Sequence, residues 1–403
     1  MKKLQLHWQI FIALILAVFY GMFLTDYVGY VAWMGDVFLR ALRMVIVPLI
    51  LSSIVSGVAN IGGGDNLGRL GLKTMAYYLS TSTFAIITGL MLVNLIRPGV
   101  GTDLGAAKVV EGLGEAQESF GDTLINMIPT NIFTAFSDGN ILSIIFFAIL
   151  FGFFITKVPD KYRTYLTDGF NAVFEVMMKV TMFIIKFTPL GILGIVARQV
   201  AETEDLANTA ERLGLYSLTV IGALGLHALF TLPVMLKFIG KINPLKHFKA
   251  VTVPLLTAFS TSSSSATLPL TMEAVENKAG VSNKITSFTL PLGATVNMDG
   301  TALYECVAVM FIAQAYGVEM TFVQQILIVV TALLASIGAA GIPMAGIVMM
   351  SVILSAVNLP LEGIGLILAI DRPLDMCRTM INNWSDSCGA VIIAKSEGEE
   401  LKV

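Results

Sequence analysis

Two stretches of this chain, residues 250–272 and 320–361, carry no charged residue, and each is broken near its middle. The first break is Ser260-Thr261-Ser262-Ser263-Ser264-Ser265-Ala266-Thr267-Leu268-Pro269, and the second is Ser336-Ile337-Gly338-Ala339-Ala340-Gly341-Ile342-Pro343. A helix needs about 20 apolar residues to cross a bilayer. Residues 320–361 are therefore too many for one crossing, and each half is a little short for one of its own. Irregular backbone at membrane depth survives only where protein buries it or it lines a wet cavity. The reading is a pair of re-entrant helical hairpins, each entering and leaving by the same side. A serine run can also be a flexible linker, but the flanking Pro254-Leu255-Leu256 and Leu268-Pro269-Leu270 argue against that here.

Composition agrees. The 403 residues are 56% hydrophobic and 13% charged, against about 45–50% and about 25% in ordinary soluble chains. Disordered, collagenous and disulfide-rich classes are excluded, and a multi-spanning membrane protein with room for about eight to ten crossings remains. A formal charge of −3 without a long basic run gives no ground for nucleic-acid binding. Cys306, Cys377 and Cys388 lie in apolar segments with no C-x-x-C pair, against a disulfide scaffold or zinc site.

Lys2-Lys3 and the apolar run from Trp8 to Thr25 resemble a signal peptide but lack an A-x-A cleavage site, so the run reads as a first transmembrane helix. Further spans fall at about 37–60, 74–97, 165–199 and 213–237. Residues 121–156, with Pro129 and the Ser137-Asp138-Gly139-Asn140 turn signal, read as one net crossing in pieces. Lys2, Lys3, Arg69, Lys73, Lys157, Lys161, Arg163, Lys237, Lys241, Lys246 and Lys249 fall on one side. The intervening loops carry Asp103, Glu111, Glu115, Glu118, Asp122, Glu202, Glu204, Asp205 and Glu211. By the positive-inside rule both termini are expected in the cytoplasm.

Each hairpin precedes a span with its own polar cluster: Asn297-Met298-Asp299-Gly300-Thr301 after the first, and residues 371–386 after the second. Hairpin plus polar helix, twice, is the pattern of an inverted repeat, and paired interrupted segments point to a transporter's binding site. In the last span Asp371, Asp375, Arg378, Thr379, Asn382 and Asp386 fall within an arc of about 100° on a helix. At about 3 kcal/mol per charge near mid-membrane, facing lipid would cost this stripe on the order of 10 kcal/mol. It must face protein or water. Asp375 and Arg378 at i, i+3 could form an internal salt bridge, but that alone would not need Thr379, Asn382 and Asp386 on the same face. A guanidinium matches a carboxylate in two parallel hydrogen bonds, so Arg378 suits an acidic substrate group. Asp375 suits an ammonium, and the two together select an acidic amino acid.

Asn297 and Asp299 would point about 200° apart on an intact helix, and Gly300 beside them permits local unwinding. A broken helix would offer carbonyls and both side chains to sodium. The alternative is an ordinary hydrogen-bonded Asn beside a helix-interior glycine. Glu305, on the same span, is a buried carboxyl without an obvious permanent partner, suited to carry a proton, or else a snorkelling glutamate. His227, alone in an apolar helix, reads as a core histidine rather than a ligand. Asn383-Trp384-Ser385 fits a glycosylation pattern but lies inside the stripe, and no G-x-S-x-G elbow supports a hydrolase.

Ser262-Ser263-Ser264-Ser265-Ala266-Thr267-Leu268-Pro269, Asn297-Met298-Asp299-Gly300-Thr301, Ala340-Gly341-Ile342-Pro343 and Asp375…Arg378-Thr379…Asn382…Asp386 together resemble the dicarboxylate/amino acid:cation symporter family, which includes the excitatory amino acid transporters and archaeal aspartate transporters. The resemblance runs nearly end to end, with Arg43-Met44 to Pro48 and Tyr77-Tyr78 to Ser82 also matching.

The resemblance implies an all-α elevator-type transporter of eight transmembrane helices and two re-entrant hairpins, assembled as a homotrimer. Residues 1–73 and 98–200 would form the scaffold, and 74–97 and 201–403 the transport domain, with the second hairpin as the extracellular gate. Substrate would contact the hairpin residues Ser262, Ser263 and Ser264, together with Thr301, Ile342, Gly346, Asp375, Arg378, Thr379 and Asn382. One sodium would sit at Gly293, Asn297, Asn382 and Asp386. A second would use carbonyls of Thr295, Ser336, Ile337 and Ala339, and a third Tyr78, Thr81, Ser82, Asn297 and Asp299. Ser262 and Glu305 match the animal transporters, where archaeal members carry arginine and glutamine, so Glu305 is implied in proton cotransport and potassium countertransport. The animal transporters also place an arginine directly after the aspartate matching Asp375. Here Met376 stands there, which leaves potassium coupling open, although Arg372 lies one turn earlier on the same side. The short link between spans three and four implies a prokaryotic inner membrane.

The resulting expectation is a sodium-coupled symporter for L-glutamate or L-aspartate with proton cotransport, no organic cofactor and no enzymatic activity. The rivals are a sodium- or proton-coupled four-carbon dicarboxylate symporter, an intramembrane hydrolase and a passive anion channel.

Overall fold

A computed structural model describes residues 6–61, 67–102, 125, 127–203, 205–338, 345–368 and 370–403. Among these residues the chain is helical, without strands. The helices are α1 (Leu6–Phe23), α2 (Gly29–Ile61), α3 (Leu67–Ile96), α4 (Ile132–Asp138), α5 (Ile141–Ile155), α6 (Asp160–Ile185), α7 (Thr188–Glu202), α8 (Leu206–Leu226), α9 (Leu232–Phe238), α10 (Pro244–Thr261), α11 (Ser264–Ala274), α12 (Asn283–Val296), α13 (Asp299–Ala315), α14 (Phe322–Gly338), α15 (Ala345–Ala356), α16 (Ile364–Leu368) and α17 (Asp371–Ser396). A π-helical turn, His227–Thr231, joins α8 to α9.

Among the described residues, four stretches are long and apolar enough to cross a membrane: Gly29–Asn60, Arg69–Ile96, Leu206–Phe238 and Asn283–Ala315. Residues 165–199, expected as one span, are built of two helices, α6 and α7, bent by 52°. The bend has a local cause. Pro189 lies in the first turn of α7, where its missing N–H costs nothing but where it cannot extend a preceding helix. α17 is too polar to qualify as an apolar span, and from Ile381 to Ala394 it is buried in protein throughout. The lipid-exposed character of the rest is plain from side chains such as Leu95, Leu229 and Phe238, which are 80%, 81% and 70% exposed and too many for a water-facing surface.

α2 packs against α5, α6 and α7, and α1 lies along α7. The second assembly is centred on α17, which touches α3, α8, α10, α12 and α13. α14 and α15 pack on each other and reach both α2 and α13.

The breaks that position the site have readable causes. α10 ends at Ser262 in the left-handed conformation (φ 51°), and Ser263 then caps α11 by accepting a hydrogen bond from Ala266 N at 3.2 Å. The serine run is thus a tight reversal rather than a linker. The tip of the second hairpin, 339–344, with Ala339 and Ile342, lies outside the described residues.

Candidate substrate and cation site

Among the described residues Arg378, 1% exposed, is the largest fully buried side chain. Its Nη1 donates to Asp371 Oδ1 at 3.1 Å and its Nε to Asp375 Oδ1 at 2.9 Å. The guanidinium carbon stands 4.3 Å from the centroid of Tyr304, a cation–π contact. The Tyr304 hydroxyl donates to Asp371 Oδ1 at 2.7 Å. Arg372 Nη1 reaches Asp375 Oδ2 at 3.4 Å, so the arginine one turn earlier does share this space. The internal Asp375–Arg378 salt bridge weighed above is therefore present, but it belongs to a larger cluster of two carboxylates and two guanidinia. Arg378 Nη2 lies 2.8 Å from Asp375 Oδ1 without hydrogen-bonding geometry, and Asp371 Oδ2 has no partner either. The Asp371 oxygen is thus buried without a partner and Nη2 is ion-paired but not hydrogen-bonded, as expected of a site that takes a polar ligand.

The second hairpin closes on this group. A Cβ added to Gly346, at the start of α15, would lie 2.9 Å from the guanidinium carbon of Arg378. One turn along α17, the Thr379 hydroxyl donates to Asp375 O at 2.7 Å. Asn382 Oδ1 accepts from the N–H groups of Gly300 at 2.8 Å and Thr301 at 3.3 Å, while its Nδ2 donates to Thr301 Oγ1 at 3.0 Å. It thereby satisfies the open donors at the start of α13.

The helix break between α12 and α13 falls at Asn297 (φ −96°, ψ 80°) and Met298 (φ −112°, ψ 58°). It precedes Gly300, so that glycine does not supply the unwinding expected of it. Its role is close approach, since a Cβ there would stand 2.5 Å from Arg378 O.

The break turns Asn297 and Asp299 into one buried cluster. Asp299 Oδ1 accepts from Ser82 Oγ at 2.6 Å, and Oδ2 from Ser385 Oγ at 2.6 Å. Asn297 Oδ1 accepts from Thr81 Oγ1 at 3.2 Å, and its Nδ2 donates to Asp386 Oδ1 at 2.9 Å. Tyr78 donates to Thr289 O at 2.7 Å, and a Cβ at Gly293 would meet both Asp386 Oδ1 (2.5 Å) and the Tyr78 hydroxyl (2.8 Å). Hydroxyl, amide and carboxylate oxygens from four helices converge here, and such hard donors suit a hard cation. No group of three or more His, Cys, Asp or Glu able to hold a metal occurs among the described residues.

Other expected residues are less fully joined. Thr295 is exposed and its hydroxyl donates within its own helix, to Leu292 O at 3.0 Å. Ser336 is buried and donates to Leu333 O at 2.8 Å. α12 and α14, which carry Thr295 and Ser336-Ile337, are packed together. Ser264 and Ser262 are buried, the latter with its hydroxyl unpaired. Glu305 is fully buried, and neither of its oxygens has a hydrogen-bond partner.

Tyr304, Ser385, His227 and Asp371 join the site although none is among the residues expected to bind substrate or cation. His227, read as a core histidine, is buried, but its Nε2 lies 3.1 Å from Asp299 Oδ2. Asp371 was placed on the stripe without a role, and it shares Arg378 with Asp375. An isolated His in an apolar helix is a fair signal for a buried partner, but its sequence does not say which.

A lipid-exposed helical body that gathers its charges and amides into one buried seam is a polytopic membrane transporter. Residues 6–396 match the model of the sodium:dicarboxylate symporter family. This chain belongs to that family; it is a cation-coupled symporter and not an enzyme. It is 37% identical to excitatory amino acid transporter 3 of Mus musculus, over 93% of this chain and 80% of that protein. It is 35% identical to the proton/sodium-glutamate symport protein of Geobacillus stearothermophilus (99% and 96% covered). It is 33% identical to the proton/glutamate-aspartate symporter of Escherichia coli K12 (98% and 93% covered).

Proposed function

We propose that the chain is a sodium-coupled symporter of L-glutamate or L-aspartate with proton cotransport through Glu305. The observation that carries this reading is the fully buried Arg378 guanidinium beside Gly346, whose Nη2 is ion-paired to Asp375 but makes no hydrogen bond. A carboxylate approaching there gains a charge-assisted bond in a place where water is excluded. The relatives named for glutamate and aspartate transport support the same substrate class. The oxygen cluster at Tyr78, Thr81, Ser82, Asn297 and Asp299 supports sodium as coupling ion, and proton and sodium both appear in a relative's name.

The two packed assemblies agree with a scaffold of residues 1–73 and 98–200 and a transport domain of 74–97 and 201–403 moving as an elevator. A homotrimer of eight crossings and two hairpins, in a prokaryotic inner membrane with both termini cytoplasmic, completes the proposal. Potassium countertransport is part of the proposal, with Arg372 paired to Asp375 one turn before Met376.

A second reading has one observation in its favour. Asp375 is neutralised by Arg378 and Arg372, so it does not need a substrate ammonium to avoid being an unpaired buried charge. A four-carbon dicarboxylate is then electrostatically acceptable.

Radiolabelled L-aspartate uptake into proteoliposomes, with sodium outside and potassium or choline inside, tests both readings. Uphill, sodium-dependent aspartate uptake establishes the first, and acceleration by internal potassium adds countertransport. Uptake of succinate or malate with none of aspartate establishes the second.

A further inference from the structure

We infer that the groove between α9 and α10 is a binding site for an anionic phospholipid. The groove has a volume of about 730 Å³. Its walls are apolar, with Leu229 before α9 and Phe248, Leu255 and Leu256 on α10, and its floor is Met380 and Trp384 of α17. The floor is held open by the π-helical turn. The widened turn frees the Ala228 carbonyl, which accepts the indole N–H of Trp384 at 3.2 Å. Leu229 and Leu256, 81% and 60% exposed, form the lips, so the groove is continuous with the lipid-facing surface.

An apolar groove open to lipid takes an alkyl chain of any source; the charge at its end selects the headgroup. Lys237 lines the groove, and Lys241, Lys246 and Lys249 follow within the same short segment, which contains no Asp or Glu from residue 237 to 250. All four lysines are exposed. Among the described residues none of the four enters an ion pair, and the Lys237 ammonium rests 5.7 Å from the ring centroid of Phe238. One uncompensated cation in the groove wall, followed within twelve residues of chain by three more exposed lysines, complements a headgroup with net negative charge, as basic pockets between membrane helices do. The phosphate sits at the Lys237 end, and one acyl chain runs along Phe248 and Leu255 over the Trp384 indole.

The site lies on the back of α17, away from Arg378, and its occupancy needs neither substrate nor sodium. The test is therefore independent of the transport reading. Trp8→Phe with Trp33→Phe leaves Trp384 as the sole tryptophan. In phosphatidylcholine vesicles, acyl-brominated phosphatidylglycerol should half-quench Trp384 at a mole fraction at least about fivefold lower than acyl-brominated phosphatidylcholine does. Lys237→Gln with Lys241→Gln should abolish that difference. Thr252→Phe, which fills the groove and leaves every lysine in place, should abolish it too. Equal quenching by the two lipids overturns the inference, as does a preference that survives either variant. A preference surviving Thr252→Phe alone would mean that the lysines attract lipid to the surface without a groove. Native mass spectrometry of the unaltered protein in an equimolar mixture of the two lipids needs no variant to fold. Retained adducts should be mostly phosphatidylglycerol, and equal retention sinks the proposal.

Discussion

His227 Nε2 stands 3.1 Å from Asp299 Oδ2, and both side chains are fully buried. With Ser82 and Ser385, the histidine completes a set of donors that holds the Asp299 carboxylate among the Tyr78, Thr81 and Asn297 oxygens. A hydrogen bond to a buried charged group contributes about 1.5–3 kcal/mol, so removing this donor should be felt by the cation. His227→Ala is expected to raise the sodium concentration for half-maximal uptake about tenfold, and His227→Gln, which keeps a donor, should fall between. An unchanged sodium dependence in His227→Ala would reduce the histidine to a packing role.

Under the proposed function, Arg378 receives the substrate's side-chain carboxylate. Arg378→Cys should lose acidic amino acid uptake and shift preference toward neutral amino acids of similar length, read by competition against labelled L-aspartate and L-serine. Retained tight aspartate uptake would remove Arg378 from that role. The substitution also leaves Asp371 and Asp375 without their shared cation, so a folding control by size exclusion belongs with it.

The stripe on α17 was legible because a helical period alone brings Asp371, Asp375, Arg378, Thr379, Asn382 and Asp386 to one face. The hairpin breaks were legible because serine, glycine and proline interrupt otherwise uncharged runs. What could not be read were bonds between elements. His227 meets Asp299 across 72 residues of chain, and Tyr304 meets Asp371 across 67. Neither spacing has a period to betray it. The bend between α6 and α7 was hidden because 165–199 is long enough to pass as one span, and Pro189 acts only through the geometry of the first turn it enters. The groove at Trp384 depends on a π-helical turn, which no local residue pattern announces.

Glu305 is fully buried, and neither of its oxygens has a hydrogen-bond partner. Glu305→Gln keeps the shape of the neutral form and removes the exchangeable proton. Sodium-dependent aspartate uptake should persist while its dependence on a proton gradient disappears, and any stimulation by internal potassium should disappear with it. A variant whose proton-driven uptake matches the parent would assign the proton elsewhere.

Gly300 and Arg378 O approach so closely that a Cβ on the glycine would lie 2.5 Å from the carbonyl oxygen. The neighbour is helix backbone and cannot swing aside. Gly300→Ala should therefore cost about 1–3 kcal/mol and displace the Asn382 bonds to Gly300 and Thr301. The expected readout is a lower melting temperature together with weaker substrate affinity. A normal melting curve with normal uptake would mean that α13 and α17 separate more easily than their packing implies.

At the end of α17 the Glu397 carboxylate accepts from Lys73 Nζ at 2.6 Å and from Arg69 Nη2 at 2.5 Å. These two hydrogen bonds hold its pKa below the usual carboxylate range. A carboxyl depressed in the folded state stabilises the fold above its unfolded pKa, and that contribution fades as pH falls through the depressed value. Glu397→Gln should accordingly lower the melting temperature at neutral pH, and the gap to the parent should narrow in buffers below about pH 4. Lys73→Met should reproduce the neutral-pH loss. Glu397 and Lys73 are half-buried but Arg69 is exposed, so about 0.5 M salt should shrink the gap in part. A gap that is constant across pH and salt would show that Glu397 acts through packing of the tail and not through its charge.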